Sequence, residues 1–362
     1  MNYSNLDRSY FYVSEGDGVQ ALYFSFFNDI EPISKWDYVE TGILATLTLC
    51  SCLENIFFII LLSYHKSLHT ATNILVINVA AVSLLLTPMS VLICVANLSG
   101  QWTTGEFSCK FTIYSILQTS IVLIWTMAAI ACDRYRKIVT PMKKQLRARS
   151  AGFIAVVLWL CGAIIIFPSA ISQLTLTVQV EEESYDICTR TTDTFSVASP
   201  AVALVVGFFL PLIIILVSYH KVTSKLTHMK AQLGRFKDTS LKSKGGEQKL
   251  IKKETRQYTR HKRVTRTLIS IVVIFLVMWS PDVTLLGFII IDMRIQNLWL
   301  KGQYCLIGVC FLNLCAAITP LFYCISDSNV KECILRLVRK EAHASPDAVT
   351  AGGTQVSPHT AI

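Results

Sequence analysis

Charge is scarce in this chain. Asp, Glu, Lys and Arg make up 16% of its 362 residues, against about 25% in ordinary soluble domains. Between Phe111 and Ala131 there is no charged residue at all. A soluble helical bundle needs a polar face on its surface helices, and runs like this one lack it. The constellations of a catalyst are missing too. His65 and His69 are helically spaced but have no carboxylate partner, and the apolar runs hold neither paired acids nor a Ser–His set. No metal-ligand cluster stands out, so neither an enzyme nor a resident cofactor is expected. Polar stripes on several spans, which a channel or transporter would need, are absent, and neither half mirrors the other as in many transporters. The opening "MNYSNLDRSY" lacks the apolar core of a secretory leader, so the first span is expected to act as its own insertion signal.

What is present is apolar and clustered. Hydrophobic residues reach 52%, with a mean hydropathy of +0.50. They gather in runs long enough to cross a bilayer, for which about 20 helical residues are needed. The runs are Val39–Ser63, Ala71–Ala96, Phe107–Ala131, Ala151–Ile171, Pro200–Ser218, Leu268–Ile291 and Gln303–Ile325. The expected fold is an all-α membrane bundle of seven spans. Basic residues crowd one set of links: Arg136, Lys137, Lys143, Lys144, Arg147 and Arg149, then the stretch from Lys221 to Arg266, then Lys331 to Lys340. The other side carries acids such as Asp7, Glu15, Asp37, Glu181 and Asp186. Positive charge stays in the cytoplasm, so the N-terminus is expected outside. The net charge of +9 then reflects loops beside anionic membrane lipid, with no nucleic-acid partner implied. The organisation expected is an outer segment over 1–38, a membrane domain over 39–328, a short amphipathic helix over 329–341 and an irregular cytoplasmic tail over 342–362. The stretch Lys230–Lys253, rich in Lys, Ser and Gly, is likewise expected to hold little fixed structure.

Most of the 12 cysteines lie within spans, where a thiol is a small apolar filler. Cys109 and Cys188 fall on the outer, oxidising side, where they either bridge or remain two free thiols. Asn2-Tyr3-Ser4 has the form of a glycosylation sequon. "NVKECILRLVRK" puts Val330, Cys333, Ile334, Leu337 and Val338 on one face, the pattern of a helix lying on a membrane surface. Cys333 there is either a palmitoylation site or an unmodified thiol. "ACDRYRKIVTP" closes the third run with an acid, an arginine and a tyrosine. An arginine at the mouth of an apolar helix is either a snorkelling anchor or part of a switch.

Seven spans with Asp133-Arg134-Tyr135 at the foot of the third resemble the rhodopsin-like (class A) G-protein-coupled receptors. The resemblance runs from about Val39 to Lys340. Asn55 stands in the first span, although Glu54 replaces the usual glycine before it. Trp102, Gly105 and Cys109 match the W-x-x-G-x-x-x-C turn. Pro141, Trp159, Pro211 and Tyr219 follow in order. "FLVMWSP" supplies Phe275, Trp279 and Pro281, and "TPLFY" supplies Pro320 and Tyr323.

The resemblance implies that Arg134 is a switch element, freed from Asp133 to meet a heterotrimeric G protein, with Tyr135, Tyr219 and Tyr323 around the opening. Ile124, Pro211 and Phe275 look like the packing switch, and Trp279 like the rotor beneath a ligand. It implies a multi-pass protein of the plasma membrane, with arrestin and receptor kinases as further partners. Ser83, Leu123 and Thr319 occupy positions where a sodium-holding carboxylate or amide is common, so sodium control is expected to be lost. His261 and Lys262 replace the acid that often pairs with the arginine. Ile116 replaces the aspartate of amine receptors, and Asn313 the lysine of opsins. Asp282, Asn313, Ser120 and Gln118 are the polar groups expected to face the ligand, beside Trp279 and Ile116. A charged side chain in mid-membrane costs about 2.5–3.5 kcal/mol on insertion scales, which makes Asp282 the most informative. Its alternative is a protonated acid bonded to a neighbour. Stretches such as "FLPLIIILVSYHKV" and "ESYDICT" are similar to the long-chain free-fatty-acid receptors, whereas an acidic outer surface would steer a cationic peptide. Lipid and peptide ligands both stay open, as does a receptor fold that signals without ligand or binds partners without signalling.

Overall fold

Every apolar run is helical in the computed structural model, which describes residues 12–14, 20–22, 24–25, 35–171, 173–180, 183–190, 201–240, 246–291, 298–326 and 328–344. Pro200 alone of those runs lies outside the described residues. The helices are α1 (Lys35–Tyr64), α2 (Ala71–Ser99), α3 (Gly105–Ile138), α4 (Ala148–Ile171), α5 (Leu210–Ser240), α6 (Gly246–Ile291), α7 (Leu298–Ser326) and α8 (Ser328–Ala344). Six stretches among the described residues are long and apolar enough to cross a membrane, in α1 to α4, at Ala203–Phe236 and in α7. The apolar run Leu268–Ile291 forms the C-terminal half of α6.

Local chemistry sets several boundaries. Thr70 caps α2 by accepting a 3.2 Å bond from the Asn73 N–H, which satisfies one of the donors a helix start leaves open. Gly100 ends α2 at φ 66°, a left-handed turn that glycine adopts without steric cost. A π-helical segment, Ala203–Phe209, leads into α5 immediately before Pro211. The wider turn accommodates a ring that would strike the preceding turn of an α-helix. Gly207 in that turn lies so close to α3 that a Cβ would come within 2.7 Å of Ile121 Cδ1.

The bundle is built around α3, which packs against α2, α4, α5 and α6, while α1 packs on α2 and α7. Its core includes Phe58, Leu75, Val122, Ile124, Ala131 and Ile215. The outward faces are apolar as well: Leu53 is 61% exposed, Leu160 60% and Ile164 74%. Apart from Asp133, the buried polar groups among the described residues are amides and hydroxyls such as Asn55, Asn78, Ser90 and Asn313. That distribution suits a hydrocarbon solvent, in which helices join through small and polar side chains.

Three features depart from the sequence-based expectations. Gln173–Val180 (β4) and Glu183–Arg190 (β5) form an antiparallel hairpin in the link between α4 and α5. The N-terminal strand Phe24–Ser25 (β3) pairs with β5, and Tyr12–Ser14 (β1) pairs with Gln20–Leu22 (β2). The stretch Lys230–Lys253 is largely helical: α5 continues to Ser240 and α6 starts at Gly246. Its Lys, Gln, Leu and Glu residues are good helix formers, and Met229 and Tyr258 pack on a cluster of Ile138, Val222 and Leu226. The tail helix α8 runs to Ala344, so the irregular tail does not begin at 342. In α8, Val330 is fully buried while Leu337 is 37% exposed. The side chain of Val338 and the chain from 345 onward lie outside the described residues.

Candidate functional site

The two ends of α3 differ in chemistry. At its N-terminal end Cys109 is bridged to Cys188 of β5, across 79 residues, with Cα atoms 5.6 Å apart. Trp102 reinforces the joint. Its backbone N–H donates to Asp186 O at 2.6 Å, and its indole N–H lies 3.0 Å from both Gly105 O and Ser108 Oγ. The hairpin is thus fixed to the head of α3 by a covalent bond and a backbone bond. Ala96, Trp102 and Ile113 enclose the bridge.

At the other end, Asp133 is 1% exposed and belongs to a four-residue polar knot. Thr72 of α2 donates its hydroxyl proton to Asp133 Oδ2 at 2.6 Å. Thr72 Oγ1 in turn accepts from Arg134 Nη2 at 2.5 Å and from Lys137 Nζ at 2.9 Å. One proton given and two lone pairs filled use the full capacity of a hydroxyl. Lys137 also forms a 2.6 Å ion pair with Asp133. The geometry corrects the expected pairing of Asp133 with Arg134. An acid four residues before a base shares its helix face, whereas adjacent residues point apart. Lys137 therefore takes the carboxylate, and Arg134 reaches it only through Thr72. Arg134 Nε and Asp133 Oδ1 are buried without a hydrogen-bond partner, and among the described residues Arg134 forms no ion pair with α6. The His261 imidazole of α6 is pushed below its ordinary value by burial first, then by Arg134, Arg260 and Lys137. Around the knot, Tyr219 is 7% exposed, and Lys221 Nζ lies 5.7 Å from the Tyr135 ring centre. Tyr323 donates to Asn73 Oδ1 at 2.6 Å and meets Phe58 edge-on. Pro320 sits buried within α7, one turn above.

Between the ends, polar side chains join helices. Asn78 donates to Thr126 Oγ1 at 2.8 Å and accepts from Trp159 Nε1 at 3.0 Å, linking α2, α3 and α4. Asn55 donates to Ala316 O of α7 at 3.2 Å. Asn313 donates to Ser90 Oγ at 2.9 Å and to Val309 O at 3.0 Å, and accepts from Thr48 at 3.4 Å. Gln118 donates to Trp159 O at 2.8 Å, and its Oε1 is buried without a donor. It fills the space left by Gly162, where a Cβ would come within 3.0 Å of it. Ser120 donates to Ile116 O of its own helix at 2.8 Å. Ser83 and Thr319 do the same, to Val79 O at 3.0 Å and Cys315 O at 2.7 Å. Ile124 is fully buried, and Pro211 is buried at the head of α5. Phe275, Trp279, Pro281 and Asp282 lie on α6, but their side chains fall outside the described residues, as does Asn2 altogether.

Thr72, Lys137 and Asn73 escaped the sequence reading. The only signal for Lys137 was its spacing from Asp133, and for Thr72 there was none beyond its place at the start of α2.

An apolar helical bundle with buried polar joints, an oxidised cap at one end and an arginine knot at the other defines a multi-pass membrane protein. The chain belongs to the 7 transmembrane receptor (rhodopsin family), whose model matches residues 54–323. That family consists of receptors of the plasma membrane, not enzymes. The chain is 25% identical over 321 residues to free fatty acid receptor 4 of Mus musculus, covering 86% of this chain and 85% of that one. It is 27% identical over 320 residues to neuropeptide Y receptor type 2 of Sus scrofa, covering 84% and 78%. A pineal opsin of Petromyzon marinus matches 96% of the chain and 74% of its own length at 22% identity. Squid rhodopsin superposes with a TM-score of 0.70 at 20% identity, covering 88% of this chain and 89% of that one.

Proposed function

We propose that this chain is a receptor that takes an extracellular ligand at its disulfide end and activates heterotrimeric G proteins at its arginine end. Two features support an extracellular N-terminus: a disulfide persists in an oxidising compartment, and the links beside Arg134 are the basic ones. The observation that carries the reading is the knot at Asp133. Arg134 is held there by a neutral hydroxyl, not by an ion pair, and a hydroxyl bond is weaker than a charge-to-charge one. Movement of α2 or α6 would release the guanidinium toward a partner. Arrestin and receptor kinases are proposed as partners at the same end.

The ligand reading stays with two chemistries, a fatty-acid-like lipid or a peptide. Relatives named as a free fatty acid receptor and a neuropeptide Y receptor support each. Asp282, Trp279 and Ile116 are proposed as contacts. Of the remaining three, Gln118 retains a buried oxygen without a donor, whereas Asn313 and Ser120 are engaged within the bundle. The test is a panel of lipids and basic peptides applied to cells expressing the chain, read by activation of each Gα class. Activation by one class alone assigns the ligand chemistry. A silent panel with normal surface expression argues against a ligand of either kind.

A second reading, activity without ligand, is favoured by Ser83 and Thr319. Each supplies a neutral hydroxyl bonded to its own helix, where a carboxylate would be needed to hold sodium. Under that reading, basal nucleotide exchange is measurable and replacing sodium by a bulky cation leaves it unchanged. Suppression of exchange by sodium contradicts it.

A further inference from the structure

Cys94 of α2 and Cys310 of α7 are free thiols that pack on one small cluster, Leu44, Ile93, Leu306 and Val309. Two bonds set how these helices lie. Tyr323 donates to Asn73 near the start of α2, and Asn313 donates to Ser90 nearer the disulfide end. The chain therefore runs in opposite directions in α2 and α7. Residues three or four apart share a helix face, so the turn beyond the Ser90–Asn313 bond puts Cys94 over Ser90 and Cys310 over Asn313. The two thiols are the next step of the same joint. Cys94 is close enough to act electrostatically on the Cys310 thiol. Each is half-buried, so neither is sealed inside the bundle.

The pair lies in the half of the molecule that carries the Cys109–Cys188 bridge. Beyond Cys94, α2 ends at Ser99, and Trp102 then packs on that bridge. Where one disulfide persists, the surroundings can oxidise another pair. We infer that Cys94 and Cys310 form a redox site, closed to a second disulfide by a peroxide and reopened by a dithiol. One thiol sulfur attacks a peroxide oxygen and breaks the O–O bond. The departing hydroxide takes the thiol proton and leaves as water, and the sulfur becomes a sulfenic acid. The second sulfur attacks the first, so the S–S bond forms and the S–O bond breaks. Hydroxide then leaves with the second thiol proton as another water. Two electrons pass from the thiols to the peroxide, and a dithiol returns them with two protons by exchange. The bridge would tie α2 to α7 in a cluster that Ile116 of α3 also meets.

The test uses the purified full chain in detergent, before and after exposure to hydrogen peroxide. Remaining thiols are blocked with N-ethylmaleimide, and the chain is mapped as peptides without reduction. Peroxide should produce a peptide that joins Cys94 to Cys310, and brief treatment with dithiothreitol should remove it. The thermal unfolding midpoint should rise on oxidation, because the link closes a long loop. Cys94→Ser and Cys310→Ser should show no such rise. Blocked thiols at both positions after peroxide overturn the site. A bridge from either cysteine to a different one, or separate sulfenic or sulfinic acids at the two, overturns the pairing. An equal rise in Cys310→Ser overturns the tie between α2 and α7. The map of the parent decides by itself, so a serine variant that fails to fold leaves the test intact. No arm requires a ligand or G-protein activation, so a chain that fails to couple still passes or fails this test on its own.

Discussion

Replacing Thr72 by valine removes one hydroxyl and keeps the side-chain shape, so it asks whether the knot on α3 is a latch. Thr72 and Asp133 are each 1% exposed, so water cannot take the place of the lost donor. The bond to a charged carboxylate contributes about 1.5–3 kcal/mol. Those donated by Arg134 and Lys137 count for less, because both cations are only half-buried and regain water. If the knot exists only in the resting arrangement, losing 1.5–3 kcal/mol multiplies the active-to-resting ratio about tenfold to about a hundredfold. The assay is basal nucleotide exchange on a purified Gα subunit, with the thermal unfolding midpoint measured alongside. Thr72→Val should raise exchange by that factor and lower the midpoint. A lower midpoint without a rise in exchange would refute the latch, because Thr72 would then only hold α2 to α3.

The bridge from Cys109 to Cys188 closes a long loop, and Cys188→Ser should destabilise the chain by about 2–5 kcal/mol, seen as loss of surface expression and a lower unfolding midpoint. Normal expression and an unchanged midpoint would show that the Trp102–Asp186 bond suffices. His261 has a folded-state pKa below its ordinary 6.5, chiefly from burial. Its contribution to the observed arrangement is therefore complete above pH 6.5 and declines as pH falls below it. Basal exchange should rise on acidification below that value in the parent and not in His261→Gln, and parallel profiles would exclude this histidine as the cause. Asp282→Asn should weaken an ionic ligand about tenfold or more, by loss of a charge-assisted hydrogen bond. An unchanged dose–response would leave Asp282 a structural role only.

The helices were legible because hydrocarbon imposes a length and forbids charge, and runs such as Ala151–Ile171 meet both demands without ambiguity. Cys109 and Trp102 were legible because, with Gly105, they match the W-x-x-G-x-x-x-C turn of the family that the sequence resembles. The hairpin at Gln173–Arg190 was missed, although "LTLTVQV" alternates in the period of two that a half-buried strand shows. Its signal was diluted by the acids between its strands. The helical extensions of α5 and α6 are hidden behind their Lys, Ser and Gly content, because contacts such as Met229 and Tyr258 with the Val222 cluster cross between elements far apart in sequence. Thr72 was illegible for the same reason. A threonine at a helix start reads as an ordinary polar residue until the fold places it against Asp133, 61 residues away. The pairing of Lys137 with Asp133 is readable from their i,i+4 spacing.

The proposed function makes Arg134 the transmitter of the signal and not merely an anchor for α3 at the membrane surface. The parent chain and Arg134→Ala should be purified, matched in amount and unfolding midpoint, and compared for nucleotide exchange on Gα subunits with and without an activating lipid or peptide. The parent should catalyse exchange, and Arg134→Ala should reach the membrane, fold and lose that activity. Equal exchange by the two proteins would contradict it, and the arginine would then be an anchor.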